Sequence, residues 1–553
     1  MTIVSTAPPQ NGLQFIGLTD AVHRAPVWQG SLDRLAFEPG EIKAKLLNLE
    51  QPCYIVRMNG QIGVTNDGLI GSETASSNQV EALVLLPSFS VQQLGDPTFR
   101  AFHRVQYAYQ AGAMAGGIAS VELVTALGKA GILSSFGAGG LPLARLEQAI
   151  VQIQQALPNG LYAFNLIHSP MDTAIEQGAV ELYLKHQVRT VEASAFLDLT
   201  DHIVRYRVAG LSLNSNHQIE VQNKVIAKVS RREVATKFMQ PAPLKLLKEL
   251  VAQGLITEQQ AKLSEYVPMA DDLTVEADSG GHTDNRPLSC LLPSLIVLRD
   301  ELQAKYGYTN SVRVGAAGGI GTPEAVLGAF MMGAAYVVTG SVNQACIESG
   351  TSFQTKQLLA QAETTDVTMA PAADMFEMGV KLQVLKRGTL FPLRAQKLYE
   401  LYRSYDSIEA IPIKEREQLE KQIFRRTLDS VWQETTAFFQ QRDPEQLARS
   451  INHPKRKMAL IFRWYLGLSS RWSSIGEAGR EIDYQIWCGP AMGAFNEWVN
   501  HSYLKEPQHR RVCDVANHLM RGAAFLYRIQ NLRTQGLLMA PQYSQYIPTP
   551  SKK

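Results

Sequence analysis

The sequence contains no CxxC pair, and its five cysteines (Cys53, Cys290, Cys346, Cys488, Cys513) are scattered and odd in number. That excludes a disulfide framework and a structural zinc site, and it fits a reducing compartment. Charge of one sign is missing too: 53 Lys and Arg against 51 Asp and Glu leave a formal +2, without the concentrated positive field a nucleic-acid binder needs. No basic start followed by an apolar run opens the chain, so no secretory signal is read and a cytoplasmic location is expected. Repeats and low-complexity tracts are also missing. One uncharged stretch, residues 325–347, is long enough to span a membrane. It holds Gly328, Gly333, Gly340, Thr339, Asn343 and Gln344 and divides into a helical half and a β-branched half, which predicts a buried helix and strand instead.

What is present is a large core. With 553 residues, 45% hydrophobic and 19% charged, the chain is long enough for three or four domains or for one large barrel with additions. Residues 1–100 read as a mixed α/β leader with a Pro-rich tip, a strand at Cys53–Met58 and a turn at Asn59-Gly60. Beyond it, short β-branched runs alternate with helical patterns. The expected strands are Tyr109–Met114, Ile132–Ser135, Leu161–Leu166, Val188–Ala193, Val225–Val229, Leu273–Ala277, Val312–Ala316 and Ala335–Thr339. Eight βα units in about 240 residues match a (β/α)8 TIM barrel, an α/β fold, over residues 101–385. The segment 203–221 reads as an inserted hairpin. After Leu385 strand signals vanish, and five of the six tryptophans follow it. Stretches such as Glu415–Phe424 and Arg426–Phe439 have apolar residues at helical spacing, so 386–545 is expected to be α-helical. Residues 546–553, within a Pro-rich end beginning at Pro541, read as a loose tail.

Barrel enzymes work at the C-terminal ends of their strands. The seventh strand runs into Ala317-Gly318-Gly319 and the eighth into Gly340-Ser341. Consecutive glycine turns followed by helix starts expose backbone N–H groups to an anion, and this pair of loops is the usual phosphate site of the fold. The sixth strand runs into Ser279-Gly280-Gly281-His282, which places a histidine able to exchange protons near neutral pH at the barrel mouth. The first strand leads into Ala113-Met114-Ala115, small and soft residues that can lie against a flat ligand. Asn165 and Lys228 are polar residues in apolar strands, and each needs a partner if buried. No clustered ligands for a metal stand at the strand ends.

These segments, Tyr109-Gln-Ala-Gly-Ala-Met-Ala-Gly-Gly-Ile-Ala-Ser120, Glu276-Ala-Asp-Ser-Gly-Gly-His282, Ala316-Ala-Gly-Gly-Ile320 and Thr339-Gly-Ser-Val-Asn343, resemble the PfaD-type enoyl reductases. Those are trans-acting enzymes of polyunsaturated fatty acid and polyketide synthases, related to nitronate monooxygenases and to flavin-dependent enoyl-acyl-carrier-protein reductases. Gln51-Pro-Cys-Tyr-Ile-Val-Arg57 and Trp487-Cys-Gly-Pro-Ala-Met-Gly-Ala-Phe-Asn496 extend the resemblance over nearly the whole chain. It implies an FMN-binding barrel using NADPH or NADH. Gly318, Gly319, Gly340 and Ser341 would hold the FMN phosphate, Ala113, Met114 and Ala115 would lie beside the ring with Asn165 hydrogen-bonding its polar edge, and Ser279, Gly280, Gly281 and Ala317 would be further cofactor-binding residues. Lys228 would stand near the pyrimidine edge, and His282 would be the catalytic residue. The implied substrate is an enoyl thioester on an acyl carrier protein, with no nucleic-acid or membrane partner and a homo-oligomer left open. Lys455-Arg456-Lys457 is a conceivable docking patch for that acidic carrier. The alternatives are a nitronate monooxygenase-like oxygenase and a non-catalytic synthase scaffold.

Overall fold

The computed structural model describes residues 11–16, 26–74, 79–168 and 173–550; the Pro-rich tip lies outside them. Eight strands form one closed parallel barrel: β1 (Tyr109–Ala111), β2 (Leu133–Phe136), β3 (Ala163–Ile167), β4 (Thr190–Ser194), β5 (Lys224–Val229), β6 (Asp272–Glu276), β7 (Arg313–Ala317) and β8 (Val337–Thr339). Each expected strand is found, shifted by a few residues at its ends. β8 closes on β1 with Val337 opposite Tyr109 and Thr339 opposite Ala111. The strands are buried along nearly their whole length, as their unbroken apolar runs require when helices cover the outer face.

Helices α1 (Val121–Lys129), α2 (Leu143–Ala156), α3 (Thr173–Lys185), α4 (Asp201–Ala209), α5 (Arg232–Met239), α6 (Leu288–Tyr306) and α7 (Pro323–Met331) follow the first seven strands in turn. The pair α7 and β8 is the predicted buried helix and strand. The hairpin expected over 203–221 is only half there. Thr200 caps α4 by accepting the Ile203 N–H, and Ile203, Val204, Tyr206 and Val208 are buried as one helix face. The hairpin is confined to Leu211–Leu213 and Ile219–Val221. A run of β-branched residues near a turn looks like a strand until the N-cap and core decide otherwise.

The eighth helix comes from far away in sequence. α8 (Val512–Thr534) packs between α7 and α1, and Cys513 Sγ lies 3.4 Å from the Ala126 carbonyl of α1. Residues 345–511 thus lie between the last barrel strand and its helix. They contain the antiparallel strands Val367–Pro371 and Lys381–Leu385 and the helices Phe391–Ser404, Leu428–Arg442 and Pro454–Ile475. Beyond α8, Leu537–Met539 pairs antiparallel with Leu13–Phe15. The tail expected to be loose is docked through Tyr546: Tyr543 is buried and donates to the Asn11 carbonyl at 2.6 Å, and Trp498 Nε1 donates to the Tyr546 carbonyl at 3.0 Å. Two aromatic side chains outweigh the local Pro signal. Among the described residues no helix is long and apolar enough to cross a membrane.

The leader forms a five-stranded antiparallel sheet that includes Cys53–Met58, paired with Gln61–Thr65 across the Asn59-Gly60 turn. Arg528 of α8 holds it to the barrel. This side chain is 1% exposed, and its guanidinium donates to the carbonyls of Leu46, Asn48, Leu49 and Gln51 at 3.3, 2.8, 3.1 and 2.7 Å, the free C-terminal end of helix Pro39–Leu47 and the loop beyond it. Arg528→Ala removes four hydrogen bonds to these carbonyls, two of them buried, and leaves a cavity, a loss of about 3–5 kcal/mol. Limited proteolysis is the check: the variant is expected to be cut within residues 26–86 while the barrel resists. Unchanged resistance there would show that the leader is held by other contacts.

Candidate active site

Past β6 the backbone of Gly280 crosses that of Cys488: a Cβ on Gly280 would lie 2.8 Å from the Cys488 nitrogen, and one on Gly489 2.8 Å from the Gly280 nitrogen. Only glycine permits two chains to meet this closely. Beyond the crossing, Gly281 and His282 pair antiparallel with Gln383 and Leu382. Gln383 Nε2 donates to Asp278 Oδ1 at 2.7 Å and to the Ser279 carbonyl at 2.8 Å, and Asn285 Nδ2 donates to Asp278 Oδ1 at 2.8 Å. The loop carrying His282 is therefore clamped. His282 is half-buried, with Nε2 at 3.3 Å from Asp374 Oδ1. Burial alone would lower its pKa, but the hydrogen bond and charge of Asp374, with Glu276 nearby, outweigh burial and raise it.

Lys228 of β5 stands between two carboxylates, with Nζ 3.3 Å from Glu276 Oε1 and 3.8 Å from Glu192 Oε1. Desolvation opposes its charge, yet the two acids raise its pKa, which makes it a permanent cation already matched by anions. Glu192, 1% exposed, also accepts the Gln110 amide at 2.7 Å and the Ala113 N–H at 3.2 Å. It thereby braces the exit of β1, where Ala113, Met114 and Ala115 are half-buried. Asn165 directs both amide hydrogens to protein, donating to the Glu192 carbonyl and to Ser194 Oγ at 3.0 Å each; its Oδ1 accepts no hydrogen bond among the described residues.

The turns after β7 and β8 lie beside this cluster. The N–H groups of Gly318, Gly319, Gly340 and Ser341 have no acceptor among the described residues, and space is open around Gly319 and Gly340, where a Cβ would meet nothing within 4 Å. Gly318 has φ +86° and passes so close to Ala277 that a Cβ would sit 2.6 Å from its carbonyl carbon. Ala317 is buried at the end of β7. Ser341 Oγ accepts the Gly489 N–H at 3.0 Å, so the segment that crosses Gly280 also reaches the β8 turn. The arrangement can seat an anion on four N–H groups, a flat group against β1 and a proton donor at His282.

The cofactor and catalytic residues singled out in sequence lie within or just after β1, β3, β5, β6, β7 and β8. Glu192 and Gln110 were missed, although they carry the signal that marked Asn165 and Lys228, a polar residue in an apolar strand. Asp374, Gln383 and Gly489 carry no local signal. His168 pairs with Glu176 at 3.0 Å and stacks on Phe196. The basic run 455–457 is not bare: Lys455 donates to the Tyr405 carbonyl at 2.6 Å, Arg456 to Gln446 Oε1 at 2.7 Å, and Lys457 lies 3.5 Å from Glu409. Among the described residues no group of three or more His, Cys, Asp or Glu is placed to hold a metal ion.

Comparison with known proteins agrees with this geometry. The nitronate monooxygenase family pattern matches residues 97–405, the N-terminal domain of the fatty acid synthase protein PfaD matches 28–88, and the inserted helical domain of acyl-carrier-protein S-malonyltransferase matches 405–484. The chain is 48% identical over 517 residues to one of the polyunsaturated fatty acid synthase polypeptides of Thraustochytrium, covering 92% of this chain and 34% of that protein. It is 46% identical over 514 residues to the polyketide biosynthesis protein PksE of Bacillus subtilis, covering 92% of this chain and 65% of that one. The chain thus spans about a third of the first relative's length and just under two thirds of the second's. The crystal structure of the enoyl reductase domain of MlnA, from the macrolactin cluster of Bacillus amyloliquefaciens, superposes with a TM-score of 0.77 at 38% identity, covering 80% of this chain and 100% of that one. A closed barrel with vacant N–H groups after β7 and β8, a histidine on the β6 loop and matches that run from the leader through the barrel have one common explanation: the chain belongs to the nitronate monooxygenase family of flavin-dependent oxidoreductases, in its PfaD-type branch.

Proposed function

We propose that this protein is an FMN-dependent enoyl reductase that acts in trans, reducing the 2,3 double bond of enoyl thioesters carried on an acyl carrier protein, with NADPH or NADH as reductant, during polyunsaturated fatty acid or polyketide synthesis. The observation that carries the reading is the placement of His282 on the same barrel face as the four unpaired N–H groups of the β7 and β8 turns. Those N–H groups and the open space beside Gly319 and Gly340 fit a phosphate, and the small side chains of Ala113 and Ala115 fit a flat ring. FMN, when bound, would supply the hydride chemistry. The protein's own groups do the rest. His282 holds a proton near the substrate thioester, where it can hydrogen-bond the carbonyl oxygen or protonate the α-carbon. Lys228, balanced by Glu192 and Glu276, keeps the β5 side of the site polar and fixed without adding net positive charge, so it stabilises an anionic ring less than a lone lysine would. Segment 487–491 ties the β6 and β8 turns to each other, crossing Gly280 and donating from the Gly489 N–H to Ser341 Oγ.

The nitronate monooxygenase match over the barrel supports a second reading, an oxygen-using oxidation. One experiment separates the two. The purified protein is expected to show a flavin absorbance spectrum, to bleach under anaerobic NADPH and to recover colour on addition of a crotonyl-type thioester of an acyl carrier protein. A colourless protein that releases no FMN on denaturation refutes the cofactor. Recovery only with oxygen refutes the reductase reading in favour of the oxygenase. His282→Ala is expected to keep flavin and lose at least about 100-fold in thioester reduction.

A further inference from the structure

We propose that Asp374 is a positioning residue for His282: from the turn between strands Val367–Pro371 and Lys381–Leu385 it holds the Nε2 side of the ring, so that the proton given to substrate leaves from Nδ1. The inference rests on the reading of His282 as proton donor. Its geometric basis is a turn that is itself fixed. Asp374 Oδ1 accepts the Met375 N–H at 3.1 Å, Phe376 is fully buried against Tyr399, Tyr402 and Phe462, and Glu377 pairs with Arg463 of helix Pro454–Ile475 at 3.2 Å. The histidine is held from the other side, because Gly281 and His282 pair with the strand that leaves this turn. Both partners of the 3.3 Å contact are therefore anchored to the same two-stranded element.

Asp374 engages one ring nitrogen, and the other, Nδ1, has no hydrogen-bond partner among the described residues. The charged groups facing the ring are Asp374 from the turn, Glu276 from β6 and Lys228 from β5. Asp284 on His282's own loop is taken by Arg231 at 2.9 Å, and Asp278 by Gln383 and Asn285. Glu276 is itself shared with Lys228 at 3.3 Å, so Asp374, the acid in contact with the ring, is the group that favours the imidazolium. In the step itself, a hydride equivalent from the reduced nicotinamide dinucleotide adds to the β-carbon of the enoyl thioester, the displaced π pair shifts to the α-carbon, and that pair forms the new C–H bond with the proton whose bond to Nδ1 breaks. His282 is left neutral with its Nε2–H toward Asp374 and regains a proton from water. An acid fixed in this way keeps the ring charged and aimed.

The test uses the full chain with ring-labelled histidine, following the His282 resonance against pH by NMR, the assignment coming from its loss in His282→Gln. In Asp374→Asn the titration midpoint is expected to move to lower pH, and Asp374→Glu to bring it back toward the parent. In turnover with the carrier-protein thioester, Asp374→Asn is expected to lose about 10-fold at pH 8 but no more than about 2-fold at pH 6, the descending limb moving to lower pH. An unmoved resonance, or an equal loss at every pH, would overturn the proposal. If His282→Gln keeps the parent rate, the donor reading fails instead, and the two failures are told apart because the NMR titration does not depend on turnover.

Discussion

Gly318→Val is expected to give a folded protein that purifies without flavin. At φ +86° a β-branched residue costs about 1–2 kcal/mol or more in backbone strain, and its Cβ would press on the Ala277 carbonyl carbon from 2.6 Å. The β7 turn must then shift outward, carrying the N–H groups of Gly318 and Gly319 away from any phosphate they hold. A loss of at least about 100-fold in FMN affinity follows from about 2–3 kcal/mol of displaced hydrogen bonding and strain. Gly340→Ala is the companion variant. A Cβ there meets no protein atom within 4 Å. The variant tests whether the ligand uses that space, with an expected loss of about 10-fold. Fluorescence titration of apoprotein with FMN measures both, and far-UV circular dichroism checks the fold. Full flavin retention by Gly318→Val would remove the phosphate assignment.

The second large effect lies at the opposite end of the barrel. Asp272, first residue of β6, is fully buried and sits in register with Arg313, first residue of β7. Arg313 donates to both of its oxygens at 2.6 and 2.9 Å, and His103 Nε2 lies 2.7 Å from Oδ2. Burial by itself would raise the Asp272 pKa, but Arg313 and His103 outweigh it and hold it down at about 2. Asp272→Asn leaves the Arg313 guanidinium buried without its anion, a loss of about 3–5 kcal/mol, read as a fall in Tm of about 3–4 °C for a chain of this length. Because the folded pKa is depressed, this stabilisation is present above the unfolded carboxylate value of about 4 and is lost as pH falls toward 2. The gap in Tm between parent and variant should narrow over that window. Replacing both partners, Asp272→Leu with Arg313→Met, should cost less than the single change, since no charge is then stranded. Equal Tm values for parent and Asp272→Asn at pH 7 would show that the pair contributes nothing net.

The barrel was legible in the sequence because a parallel strand buried on both faces must be an unbroken apolar run, and eight such runs between helical patterns admit few other closures. The turn at Asn59-Gly60 and the glycines at 318–319 and 340 were legible for a similar reason, since turn conformation is set by residues within two or three positions of each other. Segment 203–221 shows the limit of the same logic: the periodicity suited a hairpin, and the Thr200 cap with the buried Ile203–Val208 face made its first half a helix.

What the chain determined alone, then, was the kind of the eight barrel strands and the side of the barrel on which the reactive residues emerge. The tertiary structure decided the partnerships. His282 meets Asp374, Gly280 meets Gly489, and the eighth barrel place is filled by α8 after residues 345–511 have formed the wall of the site. It also turned Lys228 from a lone cation into one shared by Glu192 and Glu276. Local propensity acts over one or two turns of chain, whereas which carboxylate faces which base, and which helix seals which groove, are settled only when distant surfaces compete for burial and buried charges must find a counterion.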